Sequence, residues 1–270
     1  KKYLPVFLGA VVAVAAFVLL FVTGVLKVAQ LSNIAALLAA VIAIVLWIQM
    51  YRSPLTTDIE RSRLVGFVPM FVASVAFWSL FQQQFTVIAL YSDERLNRNL
   101  FGIEVPPGMV QSINPLFIIL FAAVFGALWT KLGDKQPSYA VKFSMALVVI
   151  GGALLLFLPF AGGGANSTPM WAMVLILFLF TMGELMLSPV GNSMATRLAP
   201  KAFPTRMFGL WLLSLSLGTA LSGSLAGFYN PDDASAERTY FLAMFAVMIA
   251  LGALIFLARK WIVKKFVDVH

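Results

Sequence analysis

The chain reads as an all-α membrane protein with eight transmembrane helices. Three observations lead there. Of its 270 residues 61% are hydrophobic and 11% charged, against about 45–50% and ~25% in soluble domains. Mean hydropathy is +0.94. Eight apolar runs reach the roughly 20 residues that a bilayer crossing requires, at 3–26, 31–51, 64–91, 108–130, 140–160, 169–196, 206–228 and 239–262.

Lys and Arg supply a check on that count. If odd spans start on one side, that side holds fifteen basic residues, including Arg52, Arg63, Lys142, Arg197 and Lys265, and the other holds Lys27, Arg95, Arg98 and Arg238. All 19 are accounted for, and those that fall within a run (Lys142, Arg206, Arg259 and Lys260) stand within four residues of its end. The positive-inside rule makes the richer side cytoplasmic, with both chain ends inside. The +8 net charge is thereby explained by orientation in a lipid bilayer, and no nucleic-acid partner is expected. Absence of cysteine excludes disulfides and thiolate chemistry, and the single histidine is the terminal His270. No HExxH or GxSxG motif is present, so neither an enzyme nor a cofactor is expected.

The first two spans carry no charge and read as lipid-facing helices. The third contains FWSLFQQQFT, where Ser74, Trp78, Gln82 and Thr86 recur at four-residue steps and predict a polar–aromatic stripe. Gln82 and Trp78 are candidates for lining a solute path, whereas Gln83 and Gln84 point elsewhere. The fourth span opens with QSINPLFIIL, and Asn114-Pro115 there predicts a kink or a polar contact. The turn WTKLGDKQPS reads as a charged hinge, and the fifth span as a packing helix.

The sixth span holds Glu184, the one acidic residue within any apolar run, thirteen residues from either end of 171–197. At about 1.5 Å per residue its carboxylate lies roughly 20 Å from both surfaces. A charge there costs at least ~2.5 kcal/mol, so it is expected to face a bundle interior or wet cavity. Ser188 and Gly191 follow at i+4 and i+7, and Pro189 frees the Leu185 carbonyl. Acid, hydroxyl and loosened backbone together mark a solute site. In the seventh span Ser214, Gly218, Ser222 and Ala226, with Gly223 and Gly227, form seams of small residues for close helix packing. Trp261 and its basic neighbours anchor the last span at the interface.

The stretches FWSLFQQ, QSINPLFIIL, LWTKLGDKQPS, GELMLSPVGNSMATRLAP and GLWLLSLSLGTALSG, in that order, resemble the proton-dependent oligopeptide transporter family of the major facilitator superfamily. The resemblance implies that 1–52 is a two-helix insert and 63–265 a C-terminal six-helix bundle. It also implies a partner N-terminal six-helix half outside this sequence, and the chain, which begins Lys1-Lys2, is expected to be a piece of something longer. By the same resemblance Glu184 receives the amino terminus of a di- or tripeptide, Asn114 contacts its backbone, and Trp78 and Trp211 line the cavity. Gln82 departs from the family pattern, since many members carry a proton-coupling glutamate there. Proton-coupled peptide symport in the cytoplasmic membrane is the expected activity. Transport of another solute such as nitrate, and a membrane segment that moves nothing, are the alternatives.

Overall fold

The computed structural model describes residue 23, residues 28–100, 102–267 and residue 269. The predicted span at 3–26 lies outside the described residues apart from Thr23. Seven helices among the described residues are long and apolar enough to cross a membrane. The predicted spans from 31–51 onward each fall on one of them.

The first is α1 (Val28–Arg52), which starts three residues before the apolar run at 31–51. α2 (Asp58–Phe81) starts at a capping box: Glu60 N–H donates to Thr57 Oγ1 at 3.3 Å, and Thr57 N–H donates to Glu60 Oε2 at 2.8 Å. The other Glu60 oxygen accepts from Lys201 N–H at 2.8 Å, tying this cap to a later loop. The chain then passes through a 3₁₀ turn at Gln82–Phe85 into α3 (Val87–Glu94). This break corrects the four-residue stripe predicted across the third span. Thr86, at φ −122° and ψ −90°, leaves the helical path and does not continue the face of Ser74 and Trp78.

A short α4 (Pro107–Val110) precedes α5 (Ile113–Leu132). Asn114-Pro115 therefore occupies the first turn of α5 rather than its interior. Proline is accommodated there because first-turn N–H groups lack intrahelical acceptors, so the predicted kink is instead a junction at Gln111–Ser112. α6 (Tyr139–Ala153) tightens into 3₁₀ geometry over Leu154–Phe160, where Pro159 has no N–H to donate to the Leu156 carbonyl. The long α7 (Met170–Leu198), α8 (Pro204–Ala226) and α9 (Ala234–Phe266) complete the helices. Asp233 caps α9 by accepting from the N–H groups of Ser235 and Ala236.

α9 packs on α6 and α2, α6 on α7, and α2 on α8; α5 leans chiefly on α7. In lipid these contacts depend on close van der Waals fit, and large aromatics supply it: Phe157 and Phe241 stack with centroids 4.6 Å apart. The small-residue seams of α8 serve two neighbours. Ser214 shares a hydrogen bond with Ser74 at 2.7 Å and Gly218 lies against Trp78 on α2. Gly223 lies against Ser32, and Ser224 donates to Asn33 at 2.6 Å, both on α1.

The two ends of the bundle are stapled differently. At one end Arg63 donates to the carbonyls of Phe266 and Val267, each at 3.0 Å. At the other, β1 (Leu96–Asn97) pairs in parallel with a strand at Thr168–Pro169. There Arg95 reaches Glu237 at 2.5 Å and the Pro231 carbonyl. Glu237 also accepts from Tyr229 at 2.8 Å and from Gly162 N–H at 2.8 Å. Gly162 has φ +79°, and a Cβ there would fall 2.3 Å from Ala234 Cβ, so both conformation and space require glycine. Glu237 is fully buried although it lies outside the apolar run at 239–262, because α9 begins five residues before that run.

Candidate functional site

Glu184 sits at the midpoint of the 29-residue α7 and is half-buried. It opens on a cleft of about 290 Å³ between α5 and α7, lined by Phe125, Gly126, Trp129, Ser188 and Asn192 among others. Among the described residues no cation lies within ion-pair distance of its carboxylate. One oxygen, Oε2, is steadied by Asn114 Nδ2 at 3.4 Å. Asn114 is itself buried and donates at 2.9 Å to Thr181 Oγ1. The Thr181 hydroxyl donates to the Leu177 carbonyl at 2.8 Å. Thr181 thus holds Asn114, and Asn114 holds one face of the acid, which leaves lone pairs for a donor arriving through the cleft.

Three of the sequence-predicted residues come together here: Glu184, Ser188 and Asn114. Trp211 joins indirectly. It is buried, packs against Gly191, and donates its indole N–H to Asn192 Oδ1 at 2.7 Å. Asn192 in turn lines the cleft, while Gly191 faces Trp211 and not the acid. Trp78 is packed edge-on to Phe77 and Phe81, at 5.4 and 5.2 Å between centroids, outside this cleft. Gln82 donates to Thr219 Oγ1 at 3.1 Å, also away from it. Gln83 accepts from Tyr240 at 2.5 Å, in keeping with a structural role.

Thr181 and Asn192 were not singled out as site residues. Their signal was present, because Thr181, Ser188 and Asn192 stand at i−3, i+4 and i+8 from Glu184 and continue one polar stripe along α7. Trp129 comes from another helix, and its place opposite Glu184 follows only from the α5–α7 crossing. Among the described residues there is no group of three His, Cys, Asp or Glu side chains able to hold a metal ion. The arrangement is an unpaired carboxylate, flanked by amide and hydroxyl groups, in an otherwise apolar cleft at mid-span. A carboxylate so placed can accept hydrogen bonds from a cationic donor or take up a proton.

Residues 8–242 match the profile of the POT family. The chain is 35% identical over 252 residues to the uncharacterised transporter YclF of Bacillus subtilis (strain 168), covering 93% of this chain and 50% of that protein. It is 32% identical over 246 residues to a di-/tripeptide transporter of Lactococcus lactis subsp. cremoris, covering 88% of this chain and 48% of that one. The crystal structure of a peptide transporter POT in complex with sulfate superposes with TM-score 0.85 at 36% identity, covering 96% of this chain and 52% of the other. A POT family transporter in complex with 5-aminolevulinic acid gives TM-score 0.86 at 35% identity, over 97% and 55%. The chain thus spans about half the length of the relatives it matches. The family profile covers most of its residues, and the solved relatives share its helical arrangement. This multi-pass membrane chain belongs to the POT family, the proton-dependent oligopeptide transporters that its motifs resemble.

Proposed function

We propose that the chain forms the C-terminal half, with an inserted helical pair, of a proton-coupled symporter for di- and tripeptides. Residues 1–52 are the insert and 63–265 the six-helix bundle, set in the cytoplasmic membrane with both ends inside. The observation that carries this reading is the Glu184 carboxylate, unpaired at mid-span and open to the α5–α7 cleft. A peptide's terminal ammonium is the ligand such a group suits: it supplies the missing counter-charge, and Ser188 and Asn192 offer hydrogen-bond partners to the adjoining amide. Asn114 orients the acid within the same constellation. Trp211 acts through Asn192, while Trp78 and Gln82 belong to the α2–α8 seam and face substrate only once the other half encloses them.

Proton and ammonium would compete for the same carboxylate, so occupancy by one favours release of the other. That is the minimum requirement for coupling, and alternating access between two halves would convert it into symport. A lone carboxylate disfavours nitrate at this position.

The test is dipeptide binding by the full-length polypeptide that carries this segment, measured by calorimetry with and without Glu184→Gln. Loss of a buried charge partner is expected to weaken affinity by about 30-fold or more. Unchanged affinity would remove Glu184 from the site.

A further inference from the structure

A second cleft, of about 200 Å³, lies beyond the first toward the end of the bundle where α6 begins. Trp129 and Pro189 border both. Its polar lining is Lys142, Arg197, Ser193, Gln136 and Tyr139, with the Trp129 ring beside them. The peptide reading makes no use of these groups.

Lys142 is only 5% exposed. Its ammonium donates to Gln136 Oε1 at 2.6 Å and lies 4.3 Å from the centre of the Trp129 ring. No carboxylate pairs with it, or with Arg197, among the described residues. A lysine ammonium has three donors and one is bound here, which leaves two. Arg197 adds a guanidinium fork, and Ser193 and Tyr139 add hydroxyls. The Trp129 indole N–H is buried without an acceptor. The one amide oxygen in the lining, from Gln136, is already engaged. The cleft is therefore rich in donors, poor in acceptors and doubly positive, and its most enclosed cation is solvated by a neutral amide and an aromatic face alone. Enclosed cations are normally matched by an anion.

We infer that this cleft is an oxyanion-binding site, taking a phosphate-type group between Lys142, Arg197 and Ser193. The chemistry fits a soluble phosphate or sulfate and equally the phosphodiester of an anionic lipid headgroup, since the cleft lies near the basic end of the bundle. It adjoins the Glu184 cleft, but Lys142, Arg197 and Ser193 do not line that cleft, and the inference does not depend on the peptide reading.

Tryptophan fluorescence tests this on the full-length polypeptide, with Trp129→Phe identifying the reporting residue. Inorganic phosphate is titrated in detergent at constant ionic strength. In a second arm the protein is reconstituted into phosphatidylcholine vesicles with and without phosphatidylglycerol. A saturable response to free phosphate identifies a soluble oxyanion, and a response only to phosphatidylglycerol identifies a headgroup. Either supports the site, provided that Lys142→Gln and Arg197→Gln each weaken it at least about tenfold and Lys142→Arg keeps it within about threefold. Arg197 is exposed, so its variant reads out binding even if Lys142→Gln fails to fold. No response in either medium, or one that survives both neutral variants, overturns the inference.

Discussion

Arg95 and Glu237, separated by 142 positions in the chain, form an ion pair at 2.5 Å with the acid wholly enclosed and the guanidinium nearly so. The pair joins the end of α3 to the first turn of α9, and its spare oxygens and donors are taken by Tyr229, Gly162 and the Pro231 carbonyl. Breaking a buried pair from one side leaves an uncompensated charge, at a cost of about 3–5 kcal/mol. Arg95→Met is expected to lower the midpoint of thermal unfolding in detergent sharply. Arg95→Met with Glu237→Leu should recover part of the loss, because no charge is then left unpaired. A single variant as stable as the parent would show that the pair holds nothing.

The same cluster predicts an alkaline limit. Burial, reinforced by the neighbouring Glu237 carboxylate, pushes the Tyr229 phenol above its ordinary range. The unfolded chain loses this proton near pH 10 while the folded chain keeps it. The contribution is therefore complete below about pH 10 and lost as pH rises beyond it. Tyr229→Phe should be less stable than the parent at pH 8 and should show a shallower decline above pH 10. Parallel curves of stability against pH would contradict this.

Gly191 permits the approach of Trp211. A Cβ there would lie 2.1 Å from the indole ring, so Gly191→Ala forces the ring to move and is expected to cost about 1–3 kcal/mol. Gly209, in the same α8 as Trp211, has nothing within 4 Å of a built Cβ. Gly209→Ala should be neutral or stabilise by up to about 1 kcal/mol. Melting curves of the two variants side by side separate steric demand from helix propensity.

Asn192 couples that packing to the candidate site. Asn192→Leu removes the acceptor of the buried Trp211 N–H, with an expected loss of about 1–3 kcal/mol. It also strips a polar group from the Glu184 cleft, so dipeptide affinity should fall in the same variant. Trp211→Phe removes the donor as well and should restore stability without restoring affinity. If both quantities recover together, Asn192 acts through packing alone.

Gln82 cannot titrate, and its amide is engaged with Thr219. Gln82→Glu places an ionisable group on the α2–α8 seam and is expected to change the pH profile of peptide uptake in proteoliposomes. An unaltered profile would make this position irrelevant to proton coupling.

Much of this was legible in one dimension. A run of apolar residues that satisfies its own backbone hydrogen bonds has few options in a membrane, so helices followed directly from hydropathy. Glu184 stood out because ionisable groups are rare at that depth, and Ser188 followed by helical spacing. Asn114 was visible as a polar residue, although its neighbouring proline misled: the helix begins at Ile113, and a break two residues upstream leaves nothing to kink. The 3₁₀ turn at Gln82–Phe85 was equally invisible, because three glutamines give no periodic sign of where a helix tightens.

By itself the sequence determined the membrane class, the apolar spans from residue 31 onward and the carboxylate at mid-span, because hydropathy, charge placement and helical period act along the chain. Which groups oppose that carboxylate was decided by the tertiary structure alone. The α5–α7 crossing brings Trp129 and Asn114 to Glu184, the α7–α8 contact seats Trp211 behind Asn192, and the end of α3 meets α9 to bury Glu237. Those relationships depend on side chains from different helices meeting across space, and no spacing within a single helix encodes them.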